Sequence, residues 1–148
     1  MRIIGCGNLQ RGDDAAGILV AQRLRELGLE ARTCSGDPLA LIDAWSGADD
    51  VIVVDAVTSG APAGSIRTFD AQDPAVFLNP SASTHGMGVA EAIAMARELD
   101  RLPARLRIFA IEGRRFDLGA GLSPEVKRAV NKLVRQLAAQ CAVMADAG

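Results

Sequence analysis

Residues 51–55 read Val-Ile-Val-Val-Asp, an unbroken β-branched run that ends in a carboxylate. A strand with one face in water alternates apolar and polar residues, whereas a strand covered on both faces is apolar throughout. The run therefore predicts a central parallel strand at residues 51–54. Asp55 opens the loop that follows, at the carboxyl end where open parallel sheets bind their ligands.

Segments on both sides of this run alternate between strand and helix patterns. Further strands are predicted at residues 2–6, 29–34, 65–69 and 106–111, and helices at residues 15–27, 39–45, 87–99 and from Pro124 onward. The alternating pattern of residues 65–69 indicates an edge strand, and Ser123 is the expected N-cap of the last helix. We expect one α/β domain over residues 1–148, a three-layer sandwich whose mostly parallel five-stranded sheet has helices on both faces.

Composition excludes several classes of function. The 148 residues are 49% hydrophobic and 23% charged, with a net charge of −2, so no cation excess favours a nucleic acid or a membrane surface. No apolar run approaches the roughly 20 residues that span a bilayer, and no signal peptide is evident. Because Cys6, Cys34 and Cys141 are odd in number and far apart, we expect free thiols and a cytoplasmic protein.

Three loops bring polar residues to the carboxyl edge of the predicted sheet. The first, residues 7–14, ends in Asp13 and Asp14; the second begins at Asp55; the third contains His85, the only histidine. They share one crevice if strands 2–6 and 51–54 are neighbours. One imidazole with two carboxylates is a mixed N/O set suited to a borderline divalent metal, with positions left open for water or substrate.

Each of these residues also has a structural explanation. Asp13 or Asp14 could serve as the N-cap of the first helix, where its dipole favours carboxylates. Asp55 could cap a turn at the strand end, and a lone histidine such as His85 is more often structural than catalytic.

Two other kinds of site fit the sequence less well. Residues 5–7, Gly-Cys-Gly, resemble the start of a dinucleotide fingerprint, but Gln10 occupies the third glycine position and the acidic pair would oppose a pyrophosphate. A nucleophile is also disfavoured. Ser83 cannot be assumed to face His85, and Cys6 lies in a buried strand where a low thiol pKa is hard to reach.

Ordered motifs along the chain resemble those of the hydrogenase maturation proteases. Residues 5–8 and 11–17, Gly-Cys-Gly-Asn and Arg-Gly-Asp-Asp-Ala-Ala-Gly, are similar to the first motif, residues 47–57 to the second, and residues 83–88 to the third. Residues 111–113, 121–124 and the final helix also match, so the resemblance covers nearly the whole chain. In two departures, Ala15 stands where many members have glycine, and Asp14 is the shorter of the two acids that the family uses there.

The resemblance implies an endopeptidase that removes a C-terminal extension from the large subunit of a nickel–iron hydrogenase after nickel insertion. It implies that Asp14, Asp55 and His85 contact nickel and carry the catalytic site. The expected partner is the large-subunit precursor, which brings the nickel, and the enzyme is expected to be a monomer without a permanent cofactor. Asp13 would cap a helix or orient the metal ligands without binding the metal itself. Asn8 would hold the first loop through its amide.

Other functions fit the same residues. A non-cleaving nickel-sensing chaperone or binding module would use the same three ligands, and a paralogous peptidase would act on another substrate. Within the peptidase function, the metal could serve recognition alone, or the metal or a carboxylate could also activate water or polarise the scissile carbonyl.

Overall fold

A computed structural model describes residues 1–72 and 87–147, except for the side chains of residue 87 and residues 143–147. The strands in these ranges are β1 (Arg2–Cys6), β2 (Ala31–Cys34), β3 (Asp50–Val57), β4 (Ile66–Asp70) and β5 (Arg105–Glu112). They form one sheet in the order β2-β1-β3-β5-β4. All neighbours are parallel except β4, which pairs antiparallel with β5 at one edge. The predicted five-stranded, mostly parallel sheet and its edge strand are confirmed.

Helices cover both faces of the sheet. They are α1 (Ala16–Glu26), α2 (Pro38–Trp45), α3 (Met87–Glu98) and α4 (Pro124–Ala147), and a 3₁₀ turn at Gly12–Ala15 precedes α1. Helices α1 and α4 bury one core against residues such as Ile52, whereas α2 and α3 bury a second core that includes Val53. Successive residues of β3 thus point into opposite cores, which is why the strand is apolar without alternation. Within the described ranges, no helix is both long enough and apolar enough to cross a membrane.

The first helix is shorter than predicted at both ends. Ala15, the first residue of the predicted helix, belongs instead to the 3₁₀ turn at Gly12–Ala15. At the other end, the Leu29 N–H donates to the Leu24 carbonyl at 3.1 Å, so this residue completes the helix terminus and β2 begins only at Ala31. Leu27, the last residue of the predicted helix, lies past the last turn and is 62% exposed.

The central strand is longer than predicted, and this changes the setting of Asp55. β3 pairs with β5 over eight residue positions, from Asp50 opposite Arg105 to Val57 opposite Glu112. Asp55 is therefore inside the strand and not in the loop after it. The pairing with β5 continues the strand beyond the β-branched run, and the sequence pattern of β3 alone could not indicate this.

Two glycines bring α1 into contact with the sheet. A Cβ atom on Gly5 of β1 would overlap the carbonyl oxygen of Gly17 in α1. A Cβ atom on Gly17 would overlap the carbonyl oxygen of Val54 in β3. Only hydrogen side chains permit this approach. The start of α1, together with the loop before it, consequently lies against the carboxyl ends of β1 and β3.

Val53 tests the central position of β3. We expect Val53→Ala to lower the free energy of unfolding by roughly 0.5–3 kcal/mol without selective loss of chemistry, because the side chain is fully buried in the α2/α3 core. Denaturant midpoints measure the change. Thr68→Ala, at an exposed position of the edge strand, is the matched control and should shift stability by less than about 0.5 kcal/mol. Equal stability of the Val53 variant and the parent protein would contradict the central packing.

Candidate active site

The candidate site lies where β1 and β3 meet. Gly5 of β1 pairs with Val54 of β3, and from β1 the chain continues to β2 on the other side. Strand order thus reverses between β1 and β3, and such a switch point opens a crevice beyond the carboxyl ends of the strands. The adjacency that the shared crevice required is confirmed.

Asn8 holds the first loop in the way that the sequence suggested. Its side-chain oxygen accepts a hydrogen bond from the Gln10 N–H at 2.9 Å. Its backbone N–H donates to the Asp14 carbonyl at 3.2 Å, and its carbonyl accepts from the Arg11 N–H at 3.2 Å. Asn8 thereby closes the loop between β1 and the 3₁₀ turn that carries the acidic pair.

Asp13 is fully buried and joins two distant parts of the chain. Its carboxylate accepts four hydrogen bonds of 2.7–2.9 Å, from the backbone N–H groups of Arg114, Arg115 and Ser123 and from the Ser123 hydroxyl. Burial by itself raises the pKa of Asp13, but these donors together hold it below its ordinary value. Asp13 therefore ties the first loop to the segment between β5 and α4.

Neither member of the acidic pair caps a helix. The 3₁₀ turn and α1 both lack a side-chain cap, so the N-cap interpretation of Asp13 and Asp14 is wrong. The carboxylate of Asp13 is occupied by donors about a hundred positions away in sequence. Ser123 precedes α4 as expected, and its hydroxyl donates to Asp13.

Asp14 and Asp55 lie close enough to influence each other. Asp14 is half-buried at the end of the first loop, whereas Asp55 is only 4% exposed. Burial raises the pKa of Asp55 well above its ordinary value, and the negative charge of Asp14 raises it further. The Ala56 N–H, which donates to Asp55 at 2.9 Å, opposes this shift only in part. Two such carboxylates can share a proton or bind a cation.

The third predicted ligand, His85, lies outside the described residues. Among the side chains of residues 1–72 and 88–142, no group of three acidic, cysteine or histidine residues is arranged to hold a metal ion. The two carboxylates are thus brought to one place, while a complete three-ligand set remains a prediction.

Two interactions near this edge were not predicted from the sequence. Glu112, at the end of β5, accepts hydrogen bonds from the Ser59 N–H at 2.8 Å and the Ser59 hydroxyl at 2.5 Å, which fixes the segment after β3. Cys6 of β1 pairs in register with Cys34 of β2. Glu112 belongs to residues 111–113, which match the family resemblance, but the sequence assigned it no role. The cysteine pair can be recognised only once the strand order is known.

Cys6 is not a candidate nucleophile for peptide hydrolysis, in agreement with the expectation from the sequence. Hydrogen bonding with Cys34 and then burial raise its thiol pKa well above the ordinary value, and the charges of Asp55 and Asp14 act in the same direction. A protonated, fully buried thiol does not attack a peptide bond.

Comparisons with known proteins agree with this architecture. The family model described as hydrogenase maturation protease matches residues 36–140. Protein FrxA of Pyrococcus furiosus is 34% identical over 124 residues, which cover 80% of this chain and 88% of FrxA. Among solved structures, the NiFe hydrogenase maturation protease HybD from Thermococcus kodakarensis gives a TM-score of 0.79 at 28% identity and covers 95% of this chain and 99% of that one. The hydrogenase maturating endopeptidase HybD from E. coli shares the fold, with a TM-score of 0.76 at 24% identity over 100% of this chain and 94% of its own.

The fold, the ordered motifs and the family match define one class: the chain belongs to the hydrogenase maturation protease family. It is accordingly a peptidase, an endopeptidase of hydrogenase maturation. This assignment favours the cleaving enzyme over the non-cleaving binding module.

Proposed function

We propose that the protein removes the C-terminal extension of a nickel-loaded nickel–iron hydrogenase large-subunit precursor. In this proposal Asp14, Asp55 and His85 recognise the nickel. The substrate class follows from the family, and the ligand set follows from the sequence motifs together with the placement of the two carboxylates.

The proximity of Asp14 to the buried carboxylate of Asp55 is the observation that carries the proposal. A buried carboxylate beside a second negative charge is destabilised in its ionised form, which is why the pKa of Asp55 is raised. A divalent cation relieves this repulsion, and its binding favours the ionised form of Asp55. The pair is thus suited to a cation that arrives and leaves.

Nickel belongs to the substrate in this proposal. Two carboxylates and one imidazole leave coordination positions free for groups of the precursor, and three such ligands without a fourth make a weak permanent site. A precursor without nickel would offer these residues nothing to bind. Metal insertion would in this way be the condition for docking.

Docking through nickel would place the extension over the edge between β1 and β3. Hydrolysis then adds water across the scissile amide: the carbonyl carbon gains the hydroxyl, the C–N bond breaks, and the departing amine takes a proton. In this proposal, Asp14 or Asp55 accepts and returns that proton.

The source of the metal is tested with the purified protein and two forms of the large-subunit precursor. We expect the enzyme to purify without stoichiometric metal, to bind added Ni²⁺ weakly, and to cleave only nickel-loaded precursor, seen as loss of the tail mass. Chelator-resistant metal in the isolated protein, together with cleavage of nickel-free precursor, would establish a resident metallopeptidase instead. Failure to cleave either form would show that this peptidase has another substrate.

A further inference from the structure

Two thiols from different strands lie side by side near the carboxylate pair. Cys6 of β1 and Cys34 of β2 are register partners, and residues directly opposite each other on neighbouring strands point to the same face of a sheet. Both pack in the core formed with α2 and α3. Cys6 is fully buried, whereas Cys34 is half-buried and reachable from solvent.

This placement suits a disulfide. Neighbouring strands are separated by about 4.8 Å, and disulfides join Cα atoms roughly 4.4–6.8 Å apart. Both cysteines are free thiols in the structure. A bond between them would link adjacent strands without a large movement of the backbone.

The two thiols also differ in reactivity. Hydrogen bonding from the Cys6 thiol lowers the pKa of Cys34 to about 6, although burial and the charge of Asp37 oppose the shift; backbone N–H groups of Gly36 and Ser35 contribute to it. The same interaction raises the pKa of Cys6. Near neutral pH, Cys34 is the thiolate and Cys6 the thiol, the division of roles found in an attacking and a resolving cysteine.

We propose that Cys34 and Cys6 form a dithiol redox site that reacts with low-molecular-weight disulfides, Cys34 as the attacking and Cys6 as the resolving residue. The inference depends on these two residues alone and does not require the function proposed above.

The reaction balances in two exchanges. The Cys34 thiolate attacks one sulfur of the small disulfide, whose S–S bond breaks and releases one thiolate, leaving a mixed disulfide on Cys34. The first released thiolate takes a proton from water. The sulfur of Cys6 then attacks Sγ of Cys34 and expels the second small thiolate, which takes the proton that Cys6 loses. The protein loses two hydrogens, and the small disulfide is reduced to two thiols.

Glutathione disulfide is the probe for this reaction, applied to the intact protein under native conditions and followed by mass spectrometry. We expect the protein to lose two hydrogens, with the peptides that contain Cys6 and Cys34 linked. Cys6→Ser should retain a glutathione on Cys34, because no resolving thiol remains, and Cys34→Ser should leave Cys6 unmodified. Cys141→Ser removes the third thiol and is the matched control; it should behave as the parent protein does.

Alkylation of the unsubstituted protein provides a measurement that does not depend on the folding of a variant. Burial raises the pKa of Cys141, so near neutral pH iodoacetamide should modify Cys34 at least about tenfold faster than Cys141. Faster modification of Cys141 would overturn the proposal. A mixed disulfide that persists on Cys34 while Cys6 is present would overturn it as well.

Discussion

Asp55→Asn is expected to abolish precursor processing and at the same time to stabilise the protein. The ionised carboxylate is buried beside Asp14, and this raises the pKa of Asp55, whereas a neutral amide carries no such penalty. The amide oxygen can still accept the hydrogen bond from the Ala56 N–H. We expect a gain of roughly 0.5–2 kcal/mol in the free energy of unfolding near neutral pH. Processing should fall more than about 100-fold, because the variant loses a ligand and not merely a residue that orients one.

The gain depends on pH in a defined direction. The folded protein keeps the proton of Asp55 to higher pH than the unfolded chain does. The parent protein therefore loses stability as the pH rises from the ordinary carboxyl pKa, about 3.9, toward the raised value. Asp55→Asn does not lose stability in this way, because its amide does not ionise. The stability difference between Asp55→Asn and the parent protein should grow as the pH rises above the ordinary carboxyl pKa and vanish below it, as measured by denaturant unfolding in the presence of a chelator.

Matched variants separate the role of the site from that of surface charge. Asp43→Asn removes an exposed carboxylate of α2 and should change neither stability nor processing. Asp14→Ala and His85→Ala should abolish processing with the fold retained. Normal processing by any two of the three ligand variants would contradict the shared-site proposal. If Asp55→Asn were less stable than the parent protein, the buried charge of Asp55 would be stabilised by its surroundings in the native state.

Asp13→Ala is expected to be the most destabilising single change. It removes a fully buried carboxylate and leaves the backbone N–H groups of Arg114, Arg115 and Ser123 without their charged acceptor. We expect a loss of about 3–5 kcal/mol in the free energy of unfolding. Ser123→Ala removes a single donor of the same group and should cost about 1–2 kcal/mol.

Acidification provides a second test of Asp13. The pKa of Asp13 is lower in the folded protein than in the unfolded chain. The stability that its ionised carboxylate contributes is therefore complete above the ordinary pKa and is lost as the pH falls through the folded pKa. The stability difference between the parent protein and Asp13→Ala should accordingly shrink in acid. Asp117→Ala, an exposed acid in the segment that Asp13 holds, is the control and should shift stability by less than about 0.5 kcal/mol. A small loss in Asp13→Ala would contradict the role of this carboxylate.

The positions of the strands and helices could be predicted from local sequence patterns. Continuous apolar runs, helical periodicity and the glycines that end helices can all be read from neighbouring residues. Residues 51–54 indicated a central strand in this way. The ends of the strands could not be predicted in this way, because they depend on pairing with strands that are distant in sequence. β5 pairs with β3 as far as Val57 and so places Asp55 inside the strand. The carboxyl-edge rule still selected Asp14 and Asp55, because it needs only the direction of the strands.

The sequence by itself determined a parallel α/β sheet with two carboxylates at one edge, since strand direction and residue order are enough for that conclusion. Only the tertiary structure separated the neighbouring acids, because Asp13 meets donors from residues 114–123 while Asp14 remains beside Asp55. Only the strand order placed Cys34 against Cys6. In both cases the partner is distant in sequence, and a local pattern cannot record a contact that folding creates.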